Sequence, residues 1–233
     1  MNRLRFAELT VMLSILILFS LAVTPYIFAE QGETEKVRFR WAFVALKKGD
    51  GGEKLVPVTR DMTLKTGDQL KMYLELEKKC FVYVFYHGSQ DELQLLFPYD
   101  MPMFTTDYGI SKKYYIPQGT FWLELDKNTG LEKFLLLGSA QRLNELERLY
   151  GEYTAVVDST KKQKLAKQVL DEIRNIKRKH VRLATTPERP VQIAGSIRGI
   201  DENKEGMQSD LSNMAVEVSA TDFYSRTFTI DHQ

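Results

Sequence analysis

Between Val37 and Leu137 apolar side chains recur mostly at every second position, and beyond Ser139 the period lengthens to between three and four residues. A two-residue period puts alternate side chains on opposite faces of a strand, whereas the longer one lays an apolar stripe along a helix. The chain is therefore expected to build a sheet domain first and to add helices to it.

The strands can be read individually. Val37 to Leu46 forms the first, and Gly49-Asp50-Gly51-Gly52 supplies a flexible turn after it. From Gln69 to Glu77, Leu70, Met72, Leu74 and Leu76 point one way, while Gln69, Lys71, Tyr73 and Glu75 point the other. Such a strand has one dry face and one wetter one. Phe81 to Tyr86 is apolar on both faces, as in a central strand covered from both sides. The turn His87 to Glu92 leads into Leu93 to Phe97 as an antiparallel hairpin, which Pro98 ends because proline has no N–H for the ladder. Tyr99 to Gly109 reads as a long ordered loop, and Tyr114 to Ile116, Phe121 to Leu125 and Glu132 to Leu137 supply further strands.

Ser139 is placed to cap a helix whose apolar positions are Leu143, Leu146, Leu149, Tyr150 and Tyr153, weakened by Gly151. A second helix, from Asp158 or Ser159 to about Arg182, carries Leu165, Val169, Leu170, Ile173 and Ile176. Their short link predicts a helical hairpin packed on the sheet. Val191 to Ile200 and Ala215 to Ile230 return to strand patterns around a polar loop at 201–213. The expected fold is mainly β (α+β): an antiparallel β-sandwich-like domain over 30–139, a helical hairpin over 140–182, and C-terminal strands in 183–233 that complete the same domain.

At the N-terminus, Arg3 and Arg5 precede the apolar run Leu9 to Val23, and Pro25 and Ile27-Phe28-Ala29 follow it. This pattern predicts a signal peptide over residues 1–29, cleaved after Ala29, and a periplasmic or extracellular mature chain. Leu9 to Ala29 also has about the ~20 residues of a spanning helix, so anchorage through 9–29 is the alternative. Loss of Arg3, Arg5 and Glu8 takes the formal net charge from +1 to zero, which predicts no nucleic-acid partner. Cys80 is the single cysteine, so no intramolecular disulfide can form, and its apolar surroundings predict a small buried hydrophobe.

Motifs for chemistry are sparse. His87, His180 and His232 are widely spaced and no Cys-x-x-Cys or His-x-x-x-His pair occurs, so no metal site is expected. There is no Gly-x-Ser-x-Gly elbow and no glycine-rich phosphate loop, so neither a serine hydrolase nor a cofactor is predicted. Glu124 and Asp126, two residues apart, are candidates for an acid/base pair, although Asp126 to Gly130 also reads as a turn. Two binding surfaces are candidates. Tyr99, Met103, Phe104 and Tyr108, with Trp122, could present an apolar patch to a protein or sugar, or fold back over a sheet edge. Lys167, Arg174, Lys177 and Arg178, within a cation-rich second helix, could meet an anionic surface, or simply be solvated.

Several segments also resemble one known family. Leu64-Lys65-Thr66-Gly67-Asp68-Gln69-Leu70, Phe81 to Tyr86, Leu95-Leu96-Phe97-Pro98, Tyr115-Ile116-Pro117, and Gly130-Leu131-Glu132 leading to Leu136-Leu137-Gly138-Ser139 are similar, in order and spacing, to the domain-of-unknown-function family numbered 4384, over roughly 41–139. The resemblance implies a compact bacterial β-rich module, which in other members is often joined to caspase-like peptidase or kinase domains; it implies no catalytic residues. The combined expectation is an exported, non-catalytic binding or interaction module of the cell envelope, with another envelope protein as partner. The alternatives are a hydrolase using Glu124 and Asp126, and a scaffold tethered by an uncleaved N-terminus.

Overall fold

Trp41, Phe43, Phe134 and Phe228 meet at the centre of the molecule, with ring centroids 4.9 to 5.1 Å apart in tilted or edge-on pairs. They come from strands far apart in the chain, and burying them together is what sets two sheets face to face. The computed structural model describes residues 36–49, 52–59, 61–181, 188–189 and 211–233. The expected signal segment 1–29, the alternative anchor at 9–29 and the strand expected at 191–200 lie outside them. Among the described residues no helix is long and apolar enough to cross a membrane.

The first sheet is organised around β1 (Val37–Gly49). One edge of β1 pairs with β2 (Gly52–Pro57) and, nearer its start, with β11 (Val216–Ala220), which carries the two-residue β10 (Glu188–Arg189). Its other edge pairs with β4 (Gln69–Leu76), followed by β7 (Lys113–Ile116) and the two-residue β8 (Leu123–Glu124). The second sheet has the order β3 (Met62–Leu64), β12 (Phe223–His232), β9 (Gly130–Ser139), β5 (Phe81–His87) and β6 (Leu93–Phe97). All pairings between the described strands are antiparallel except β3 with β12, and one isolated parallel bridge joins Leu76 to Ile110. The molecule is a mainly β, α+β sandwich, as the change of period predicts.

The expected two-sided cover of β5 is present. Val82 and Val84 enter the core between the sheets, while Tyr83 and Phe85 face the opposite way into a second core. Phe134 and Leu136 of β9 join the first, and Leu135 and Leu137 the second. The second core is closed by two helices, α2 (Asn144–Ala155) and α3 (Ser159–Val181), through Leu146, Leu149, Tyr153, Val169, Ile173 and Ile176. This is the helical hairpin expected from the longer period.

Four local expectations are corrected. The strand at 121–125 shrinks to β8, because the carbonyl of Phe121 turns inward to Lys71. The loop at 99–109 contains a short helix, α1 (Met103–Thr106), stapled at its start by Asp100 Oδ1 accepting from Met103 N at 2.9 Å. Ser139 is not a helix cap: it ends β9, and its Oγ accepts from Gln141 N at 3.3 Å. Helix α2 starts at Asn144, after Leu143 N has donated to the Tyr83 hydroxyl at 3.0 Å, and it continues through Gly151 to Ala155. Of the expected loop at 201–213 only 211–213 are described, and Leu211 there is fully buried against the outer face of β1.

Gly138 shows how tightly the sheets meet. A Cβ built there would lie 2.6 Å from Phe39 Cε1 and 3.1 Å from Val37 Cγ1. Gly138→Ala is expected to destabilise the fold by about 1 to 3 kcal/mol, seen as a lower urea midpoint with an unchanged slope.

Candidate functional site

The aromatic loop is the first candidate surface, and its side chains point inward. Met103 and Phe104 are buried, and Phe104 meets Phe81 at 5.3 Å, Tyr83 at 5.2 Å and Tyr108 at 4.9 Å. The Tyr108 hydroxyl accepts from Val82 N at 3.0 Å, which satisfies an amide of β5 near the start of the strand, where β6 does not pair with it. Burial raises the Tyr108 pKa well above its ordinary value. The Tyr99 hydroxyl donates to Tyr115 O at 2.8 Å. Trp122 is half-buried and joins the smaller core on the outer face of β1. These residues therefore cover sheet edges instead of forming one exposed apolar patch.

Glu124 and Asp126 each have hydrogen-bond partners of their own. Glu124 accepts from Gln69 Nε2 at 2.9 Å across the β4–β8 pair. Asp126 lies beyond the strand, in a turn, where Oδ1 accepts from Asn128 N at 2.7 Å and Oδ2 from Asn128 Nδ2 at 2.8 Å. Cys80 is fully buried, and burial pushes its thiol up to about 11.

The cationic candidates divide by the face of α3 they occupy. Lys177 is half-buried and donates to Thr227 Oγ1 at 3.0 Å, and burial lowers its pKa. Arg174 is exposed and paired with Asp171, and the exposed Arg178 donates to Asn175 Oδ1 at 2.6 Å. Lys161, Lys164 and Lys167 are exposed and have no ion-pair partner among the described residues. Along α3, eight lysines and arginines face two acids, Asp171 and Glu172. Because Ala166, Val169, Ile173 and Ile176 consume the inner face, the cations at 161, 164, 167, 174 and 178 lie in water.

Two buried polar sites carry no signal in local sequence. The first is Lys71, on the face of β4 that alternation assigns to water, yet only 1% exposed. Its Nζ donates to Gly119 O at 2.8 Å, to Pro117 O at 3.4 Å and to Phe121 O, and lies 5.5 Å from the Trp122 ring and 5.9 Å from that of Tyr115. Burial pushes the ammonium down to about 8, against three carbonyls and two ring faces that favour the charged form.

The second lies at the end of the second sheet. His232 is 1% exposed, and its Nδ1 is 2.9 Å from Oε1 of Glu132, itself 4% exposed. Its Nε2 is 3.1 Å from the hydroxyl of Thr66, an exposed residue of the β3–β4 turn. The two residues of the His–Glu pair are 100 positions apart and meet because β12 and β9 run antiparallel with Gly130 opposite His232. Among the described residues no group of three or more His, Cys, Asp or Glu side chains is arranged to hold a metal ion.

With this geometry in view, comparison with known families gives one result. Residues 63–142 match the family described as Domain of unknown function (DUF4384). The matched segment begins within β3 and ends just before α2, so its start lies later than the resemblance at 41–139 suggests. It contains Thr66, Lys71, Glu132 and the aromatic loop, whereas His232 and α3 lie outside it. No curated protein and no solved structure matches the chain.

Two outcomes follow from this placement. Phe104→Ala is expected to cost about 3 to 5 kcal/mol in chemical denaturation, as for a core aromatic. Lys71→Met removes the donor that the carbonyls of Pro117, Gly119 and Phe121 share; it is expected to cost at least about 2 kcal/mol and to open the 117–121 loop to limited proteolysis.

Proposed function

We propose that this chain is an exported, non-catalytic interaction module of the bacterial cell envelope, and that its docking face is the solvent side of α3. The observation that carries this reading is the row of exposed cations at Lys161, Lys164, Lys167, Arg174 and Arg178, held outward on a helix whose apolar stripe is buried. A cationic face on a chain of nearly balanced charge creates a local positive field, which steers association with an acidic surface and weakens with added salt. The partner is then an acidic face of another envelope protein. Export is supported by the N-terminal pattern, with Arg3 and Arg5 ahead of the apolar run that closes at Ala29.

The non-catalytic reading is supported by the positions of the acidic candidates. Glu124 and Asp126 are engaged with Gln69 and Asn128, and each arrangement has a plain structural purpose. The aromatic loop is a poorer docking face than α3, since Met103 and Phe104 are spent on internal packing.

Crosslinking and capture from native envelopes tests the proposal, comparing the wild type with Lys164→Glu combined with Lys167→Glu. Both positions are exposed, so the double variant should retain wild-type stability within about 0.5 kcal/mol. Loss of a specific acidic partner from this folded variant, with salt-sensitive capture by the wild type, is the expected result. Equal recovery of the same partners by both proteins would remove α3 from the proposal.

A further inference from the structure

Thr66, Glu132 and His232 come from the β3–β4 turn, β9 and β12, and they form a continuous hydrogen-bonded line from an exposed hydroxyl to a buried carboxyl. The directions of these bonds determine where protons must sit. Thr66 has a single hydroxyl proton, and it is donated to Asp126 O at 3.0 Å. The contact of Thr66 Oγ with His232 Nε2 then requires Nε2 to carry a proton and to donate it. The 2.9 Å contact between Nδ1 and Glu132 Oε1 needs a second proton, because an imidazole lone pair facing a bare carboxylate oxygen would repel it.

We infer that Glu132, His232 and Thr66 form a proton-operated clasp, which ties the β3–β4 turn to the turn after β8 and loosens when the buried His–Glu pair gives up its proton. Without that proton, Nδ1–H can still donate to the carboxylate, but Nε2 becomes an acceptor. The Thr66 hydroxyl must then swing from Asp126 O to Nε2, and its link to the second turn is lost.

The surroundings favour the proton-bearing state. Glu132 is faced by His232 from β12, by Tyr86 from β5 and by Glu92 from the β5–β6 turn; from the β3–β4 turn it is His232, not Glu132, that meets the uncharged hydroxyl of Thr66. The Asp126 carboxylate is occupied by Asn128. The Tyr86 hydroxyl is shared between Glu92, at 3.3 Å, and a weaker interaction with Glu132, whose Oε2 has no partner of full hydrogen-bonding geometry among the described residues. An unpartnered buried oxygen is tolerated far better on a neutral carboxyl than on a carboxylate. Burial accordingly raises the Glu132 pKa, with His232 and Tyr86 opposing and the Glu92 carboxylate adding to the rise. A carboxyl raised in this way binds its proton more tightly in the folded state. The stability it contributes is present below the ordinary carboxyl range and is lost as pH rises through the raised value.

The order carboxyl, imidazole, hydroxyl is also that of a hydrolytic triad. Here the amides beside the hydroxyl are already committed, Thr66 N to Gln233 O at 3.1 Å and Gly67 N to Leu125 O at 2.8 Å, so neither is free to hold an oxyanion. A clasp uses those bonds; a catalyst would need them broken.

The test is a nitrogen–proton correlation spectrum of the His232 ring in the full chain, from about pH 5 to about pH 9, with hydrogen exchange at Thr66 and Gly67. A move of the ring proton from Nε2 to Nδ1 as the pair gives up its proton, with exchange at the two amides about tenfold faster than base catalysis alone predicts, is the expected result. In Glu132→Gln the carboxamide can donate to Nδ1 at every pH, so Nε2–H and slow exchange should persist throughout. An Nε2 proton that never leaves, exchange that ignores the state of the ring, or a Glu132→Gln protein that titrates like the wild type would overturn the clasp. If that variant fails to fold, the wild-type spectra decide alone.

Discussion

Strands β5 and β9 are apolar on both faces, and a sheet built on them cannot stand in water on either side. One face finds the first sheet and the other finds α2 and α3, so the helical hairpin is part of the core and not an appendage. The cover also has to satisfy backbone polarity at the sheet edge. Tyrosines of α2 do this: the Tyr150 hydroxyl accepts from Leu95 N at 2.9 Å and the Tyr153 hydroxyl from Leu93 N at 3.4 Å, on the strand that ends the sheet. Once the inner stripe of α3 is committed to this cover, most of its cations have only the solvent side left, Lys177 excepted.

The same requirement separates the family match from the packing unit. The matched segment at 63–142 holds β4 to β9, yet the strand at the centre of the first sheet, β1, precedes it, and the strand between β3 and β9, β12, follows it. Phe43 of β1 meets both Phe134 of β9 and Phe228 of β12, so rings from the two outside strands pack on the matched segment. The core of the matched segment is therefore completed by residues beyond its boundaries, and the buried His–Glu pair repeats the pattern, with Glu132 inside and His232 outside.

Much of the fold was legible because periodicity is a local signal. The two-faced character of Phe81 to Tyr86 and the stripes of both helices can each be read within one element, and each is present, whereas the wetter face expected of β4 is dry at Lys71 and Tyr73, both 1% exposed. What failed depended on partners distant in sequence. Ser139 has the chemistry of a helix cap, but the hydroxyl of Tyr83, from another strand, serves the Leu143 amide instead. Phe104 and Tyr108 resemble a sticky loop in isolation and become core once β5 is beside them. Of the cations singled out, Lys177 is drawn inward by Thr227 of β12, a contact that no helical pattern could reveal.

Lys71 and Glu132 make the general point in opposite charge. Alternation places each on a strand, and a charged residue on a strand is ordinarily assigned to solvent, yet both are buried. Burial is possible because a loop folds three carbonyls onto the lysine and a C-terminal strand carries an imidazole to the glutamate. Exposure is thus decided by which charges find partners in the tertiary structure. The complement of that rule supports the docking face proposed above: Lys161, Lys164 and Lys167 lie on a helix whose apolar side is already committed, with no carboxylate paired to them among the described residues, so an acidic surface would have most to gain there.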